Sequence, residues 1–143
     1  MDAMIQALHR IIITTPGRGL VEITDPVGRW VAQQEIGQGL LTIYCRHTSA
    51  SLLIQENAAP EVRTDLQDFF NALVPEGSGR YRHADEGPDD MPAHIRAALT
   101  ETHLSIPIDR GRAVLGTWQG IYLFEHRTSP RRRELVLHAF GNA

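Results

Sequence analysis

The sequence predicts an α+β fold: a single domain over residues 1–143, with a mainly antiparallel sheet of sandwich or barrel-like form and two or three helices packed on it. Three observations carry this. The last third of the chain reads as strand throughout, broken by Gly and Pro turn signals. The helical patterns are inserted among strands instead of alternating regularly with them, which argues against a parallel sheet. A length of 143 residues with 42% hydrophobic and 22% charged side chains suits one core and excludes a disordered or low-complexity chain.

Taken in order, Ile5 to Thr15 carries three consecutive isoleucines and meets Pro16-Gly17-Arg18-Gly19, a strand and a turn. Thr24-Asp25-Pro26 opens a short amphipathic helix with Val27, Trp30 and Val31 on its apolar face, ended by Gly37 and Gly39. Leu40 to Arg46 alternates, with Leu41, Ile43 and Cys45 on one face and His47 one step beyond. Leu52 to Ile54 is a short strand. Pro60 opens a helix whose stripe is Val62, Leu66, Phe69, Phe70 and Leu73. Residues 74–90 form a long polar loop, of a kind that is commonly functional. Met91 to Leu99 is a short helix expected to face Met91, Ile95, Ala98 and Leu99 inward. His103–Ile108 is expected to meet Ala113–Thr117 across Asp109-Arg110-Gly111-Arg112, and Gly120–Arg127 to pair with Glu134–Phe140.

Composition narrows the chemistry. The formal net charge of −3 speaks against a nucleic-acid binder. All 14 basic residues are arginine, which removes lysine-based Schiff chemistry and the P-loop lysine. The lone Cys45 excludes an internal disulfide and reads as core. No apolar run is long enough to span a membrane, and Met1-Asp2-Ala3-Met4 lacks a secretory pattern, so a cytoplasmic location is expected.

Four constellations bear on function. His83 to His94 sets two histidines and four carboxylates on a loop entering a helix. Imidazoles bind zinc and similar ions, and a carboxylate completes or orients such a site; the plainer reading is an acidic loop in which Asp89 or Asp90 caps the helix. His47 and Glu56 both share parity with apolar strand positions and point toward a pocket, or else sit at a hydrogen-bonded turn. In Gly116-Thr117-Trp118-Gln119-Gly120, the glycines admit close approach of a ligand or of a neighbouring strand at a bulge. Arg127 and Arg131-Arg132-Arg133 read as a phosphate clamp or as a solvated rim.

Taken together, His47-Thr48-Ser49-Ala50, Gln55-Glu56-Asn57-Ala58, His83 with Glu86-Gly87 through Ala93-His94, and Leu115-Gly116-Thr117-Trp118-Gln119-Gly120-Ile121 closely resemble the YjbQ family across nearly the whole chain. The resemblance implies an α+β fold, a homotrimer and a metal-binding histidine pocket. It also implies a thiamine-phosphate synthase activity, in which a pyrimidine diphosphate joins a thiazole phosphate and pyrophosphate leaves. Carried over by position, His47, His83 and His94 would hold the metal. Glu56, Asp90, Trp118 and Gln119 match the family's other pocket positions. On that match Glu56, His47 and Gln119 would act catalytically and Asp90 and Trp118 would contact substrate, with Arg127 added as a phosphate-binding arginine from its own chemistry. The departure is His126-Arg127-Thr128-Ser129-Pro130-Arg131, where family members often carry an acidic or aromatic stretch with Asp-Gly before the Pro-Arg.

The expected function is therefore a metal-binding enzyme acting on a phosphorylated small molecule. The alternatives are metal-dependent hydrolysis of a small substrate and a non-catalytic trimeric metal- or metabolite-binding protein. Diphosphates are commonly handled through Mg²⁺, whereas a three-histidine pocket favours zinc, nickel or iron.

Overall fold

The structure is a computed structural model that describes residues 3–77 and 79–143; Met1 and Asp2 of the N-terminal segment and Ser78 of the 74–90 loop lie outside the described residues. Five strands form one sheet in the order β1 (Met4–Thr15), β8 (Arg131–Asn142), β3 (Gln38–Cys45), β5 (His103–Asp109), β6 (Arg112–Ala113). Three form a second: β2 (Gly19–Glu22), β7 (Gln119–Glu125), β4 (Ala50–Glu56). Every strand pair is antiparallel. With helices α1 (Thr24–Gln33), α2 (Pro60–Leu73) and α3 (Asp90–Leu99), the α+β expectation holds.

The alternation in β3 sends Leu41, Ile43 and Cys45 to the inner face, where Leu135, Leu137 and Ala139 of β8 and Leu104, Ile106 and Ile108 of β5 join them. Leu52, Ile121 and Leu123 of the small sheet and Val27 and Val31 of α1 close the core from the other side. Burial of such a side chain contributes roughly 1.5–3 kcal/mol. β7 is buried on both faces: Tyr122 and Phe124 turn toward the helical layer, where Phe70 of α2 meets Phe124 edge-on at 5.4 Å. The five-stranded sheet, by contrast, leaves Leu8, Ile12, Tyr44 and Phe140 exposed.

Three expectations are corrected. The last two long strands do not pair with each other: β7 lies between β2 and β4, while β8 lies between β1 and β3. Glu125 and Arg133 near the facing strand ends bond each other across the two sheets instead. In α2, Phe69 and Leu73 point outward, and the helix docks through Val62, Leu66 and Phe70. In α3, the buried face is Asp90, Pro92, Ala93 and Arg96, and Leu99 is exposed. The 109–112 turn was legible: Asp109 pairs with Arg112 around Arg110 (φ 51°) and Gly111 (φ 77°), the positive-φ pair of a two-residue hairpin.

Candidate metal centre

Helical spacing puts Asp90 and His94 on one face of α3, four residues apart, and the 74–90 loop returns His83 beside them. His83 Nε2 lies 2.7 Å and His94 Nε2 lies 3.1 Å from the same oxygen, Asp90 Oδ2. The ligating atoms of His83, Asp90 and His94 all fall within 4.8 Å of one another.

Each member is oriented from behind. His94 Nδ1 is 2.8 Å from the carbonyl oxygen of Thr48. A carbonyl only accepts, so Nδ1 carries a proton, and Nε2 is the nitrogen turned toward the carboxylate. Asp90 Oδ1 accepts from Arg127 Nη1 at 2.8 Å, and the same guanidinium donates to Asp89 Oδ2 at 2.9 Å and to the Glu86 carbonyl at 2.9 Å. Burial by itself would raise the Asp90 carboxyl; the His83 hydrogen bond and the charges of His94 and Arg127 outweigh it and hold it below the ordinary value. Asp89 is likewise brought down to about 2 against its burial by Arg127 and Thr128.

An aqueous cavity of about 540 Å³ adjoins His94, lined also by Tyr44, Arg46, His47, Ala50 and Ala97. His47 Nε2 accepts the Glu134 N–H at 2.7 Å, which places its proton on Nδ1. Burial first, and then Arg133, lower its pKa, so the ring is neutral at pH 7. Arg46, which lines this cavity, shares the single carboxylate of Glu134 with Arg10, at 3.2 and 2.9 Å, so that two guanidinium groups face one carboxylate.

The site residues expected from sequence thus divide. His83, Asp90 and His94 come together, and Arg127 stands behind them with its guanidinium engaged by acidic partners. His47 lines the neighbouring cavity and is absent from the group of three. Glu56, Trp118 and Gln119 lie at the other end of the small sheet. Glu56 pairs with Gln119 at one end of β4 and Ala50 with Glu125 at the other, about 20 Å apart at the usual strand rise. There Glu56 accepts the Ala59 N–H at the start of α2 at 3.0 Å, Gln119 Oε1 accepts the Gly116 N–H at 2.7 Å, and Trp118 is 62% exposed. The sequence reading missed the Thr48 carbonyl, which backbone geometry alone supplies. It also missed the part played by Arg127, although the tandem Asp89-Asp90 was a signal that a buried cation would be near.

The chain matches the family model described as UPF0047 protein YjbQ-like over residues 9–142. It is 53% identical over 131 residues to the UPF0047 protein sll1880 of Synechocystis, covering 92% of this chain and 89% of that one. It is 40% identical over 127 residues to the UPF0047 protein YjbQ of Escherichia coli O157:H7, covering 88% and 91%. Among solved structures, the conserved hypothetical protein TT1486 of Thermus thermophilus superposes with a TM-score of 0.79 at 35% identity, over 90% and 97% of the two chains. A YbjQ-like protein of unknown function from Sulfolobus solfataricus shares the fold at a TM-score of 0.88 and 24% identity, over 98% and 100%. A match that covers nearly the whole domain, at these identities, leaves one conclusion: the chain belongs to the YjbQ (UPF0047) family.

Proposed function

We propose that the chain is a divalent-metal enzyme of the cytoplasm acting on a phosphorylated small molecule, with thiamine-phosphate synthesis as the transferase reaction to test first. One observation carries the metal: His94 Nε2 and His83 Nε2 face the same oxygen, Asp90 Oδ2, at 3.1 and 2.7 Å, and the ligand atoms of all three lie within 4.8 Å of one another. Each nitrogen meets that oxygen through a proton, or, with the rings neutral, all three side chains turn their ligand atoms toward one metal cation. Nitrogen and oxygen ligands bound to zinc at 2.0–2.1 Å in tetrahedral array stand about 3.3 Å apart, against 2.7 and 3.1 Å here from each imidazole to the carboxylate oxygen. Two imidazoles and a carboxylate suit zinc or a similar ion better than Mg²⁺.

A bound divalent ion would supply the positive charge that a diphosphate leaving group or a phosphoryl oxygen requires. The chain's own residues supply the rest. Arg127 and the Thr48 carbonyl fix the ligands, as partners behind a metal site do. The excess of guanidinium over carboxylate at Arg10 and Arg46 draws an anionic substrate to the cavity, and His47 Nδ1–H offers it a donor. The same donor set favours a second reading, metal-dependent hydrolysis, since two histidines and one carboxylate leave a tetrahedral position open. Within one protomer Glu56, Trp118 and Gln119 do not reach this group. Their share in the same site requires another copy of the chain, consistent with the proposed homotrimer.

Titration calorimetry with zinc and with magnesium should give zinc binding that is lost in His94→Ala and Asp90→Asn and weakened about 10- to 100-fold in Arg127→Met. No binding of either ion sinks the metal reading. Thiamine-phosphate formation should then fall in His83→Ala and His94→Ala. Equal activity in both and in the unmodified protein removes this group from catalysis, and zinc binding without turnover favours the non-catalytic module.

A further inference from the structure

The 74–90 loop does more than return His83 to α3. Between the loop and the first turn of that helix lies a second cavity, of about 280 Å³, whose lining includes Tyr81, His83, Ala84, Pro88, Met91 and Pro92. Its position ties it to the candidate metal centre. His94 lines the larger cavity and His83 lines this one, and their rings, 5.6 Å apart, face the same oxygen of Asp90. The group of three therefore stands between two cavities.

The two differ in chemistry. Arg46 and His47 line the larger, whereas no arginine, aspartate or glutamate is among the described residues that line the smaller. An ion entering the smaller cavity would lose hydration with only His83, already engaged by Asp90, to replace it. An uncharged apolar group gains by the same transfer.

Local structure fixes this wall. The Tyr81 hydroxyl donates to the Pro75 carbonyl at 2.7 Å, which satisfies its polar end and leaves the ring to face the cavity. Met91, expected from sequence to face the core, is half-buried and lines the cavity instead, because Asp90, Ala93 and Arg96 take core-facing positions on α3. Gly87 turns the loop at φ 106°, a conformation that side-chain-bearing residues rarely adopt.

We propose that the loop cavity is a subsite for an uncharged apolar group of the substrate, with the substrate's anionic group held beside Arg46 and His47 across the metal centre. A dry cavity of about 150 Å³ holds benzene, so this one takes a group of about one substituted ring. The inference rests on the function proposed above and adds a direction to it: the substrate is an amphiphilic anion whose charged and apolar ends lie on opposite sides of the metal ligands.

The test is calorimetric binding to the zinc-loaded protein of methylphosphonate, 2-phenylethylphosphonate and the latter's ring-carboxylated analogue. The phenylethyl compound should bind about 10- to 100-fold tighter than the methyl one, and the ring carboxylate should remove that gain. Ala84 is an exposed loop position, and Ala84→Trp, which fills the cavity, should bring the ratio of the two affinities close to one. A ratio cancels any general loss of zinc or phosphonate affinity, and the unmodified protein decides even where the variant does not fold. Equal affinity for the methyl and phenylethyl compounds, a gain that survives the ring carboxylate, or an unchanged ratio in Ala84→Trp would each overturn the subsite while leaving the metal reading in place. Failure of zinc or of methylphosphonate to bind would remove the proposed function and this subsite with it.

Discussion

Asp90 shows how much one side chain is asked to do: one oxygen faces two imidazoles and the other accepts from Arg127. Its type and helical spacing with His94 were legible in the sequence, because a four-residue separation needs no knowledge of tertiary structure. For His47 the direction toward a pocket was legible but its partner was not, because a residue just past a strand end takes its hydrogen bond from the strand that pairs next to it, here the Glu134 N–H. The same limit hid Glu125, which reads as the end of a strand and is in fact buried, accepting from Arg133 and Thr15 of the large sheet and from the backbone N–H groups of His126 and Arg127. Burial raises its carboxyl, yet Arg133, Thr15 and the Arg127 N–H together hold it below the ordinary value. A carboxyl with a depressed folded pKa contributes stability that is present above its unfolded value and lost as pH falls through the folded one. Glu125→Gln should therefore cost about 3 kcal/mol at pH 7, where Arg133 loses its buried partner, and progressively less below about pH 4.5. Urea unfolding of both proteins at pH 7 and pH 3.5 checks this; a difference that does not change with pH would count against the pair as the cause.

At the scale of elements, periodicity identified which face of a strand is apolar but not which strand lies beside it. β7 and β8 are separated by the short 126–130 segment and look like a hairpin for that reason. The pairing is decided by β7 being apolar on both faces, which suits a middle layer, while β8 is apolar on one. Register between β3 and β8 rests on a pair of glycines, Gly39 opposite Gly141. A Cβ on Gly39 would come 2.0 Å from the Phe140 carbonyl oxygen, and one on Gly141 would come 2.0 Å from the Gln38 carbonyl oxygen. Those obstacles are backbone, so the strands themselves must part. Gly39→Ala should destabilise by about 2–3 kcal/mol, whereas Gly28→Ala on α1, where nothing lies within 4 Å, should be neutral or stabilising. Chemical denaturation of the two variants side by side separates crowding from any general intolerance of substitution; a Gly39→Ala protein as stable as the parent would contradict the close approach.

For the molecule as a whole, the helices cover the small sheet and leave the outer face of the large one bare. No helix among the described residues is long and apolar enough to cross a membrane. Leu8 is 61% exposed and Ile12 48% exposed on β1, with exposed Phe140 on the adjacent β8 and Tyr44 on β3 beyond it. A sheet face with that much apolar surface is the mark of an interface, and the homotrimer proposed above predicts that another copy of the chain covers it. Sedimentation velocity at micromolar concentration should give three times the 16.0 kDa chain mass. Leu8→Glu with Ile12→Glu should reduce it to a single chain, since charges buried at such a face cost several kcal/mol without partners. Both positions point away from the core, so circular dichroism should be unchanged. A parent protein that sediments as one chain would refute the assembly. A double variant that stays trimeric would move the interface elsewhere, with the exposed Phe69 and Leu73 of α2 as the next surface to charge.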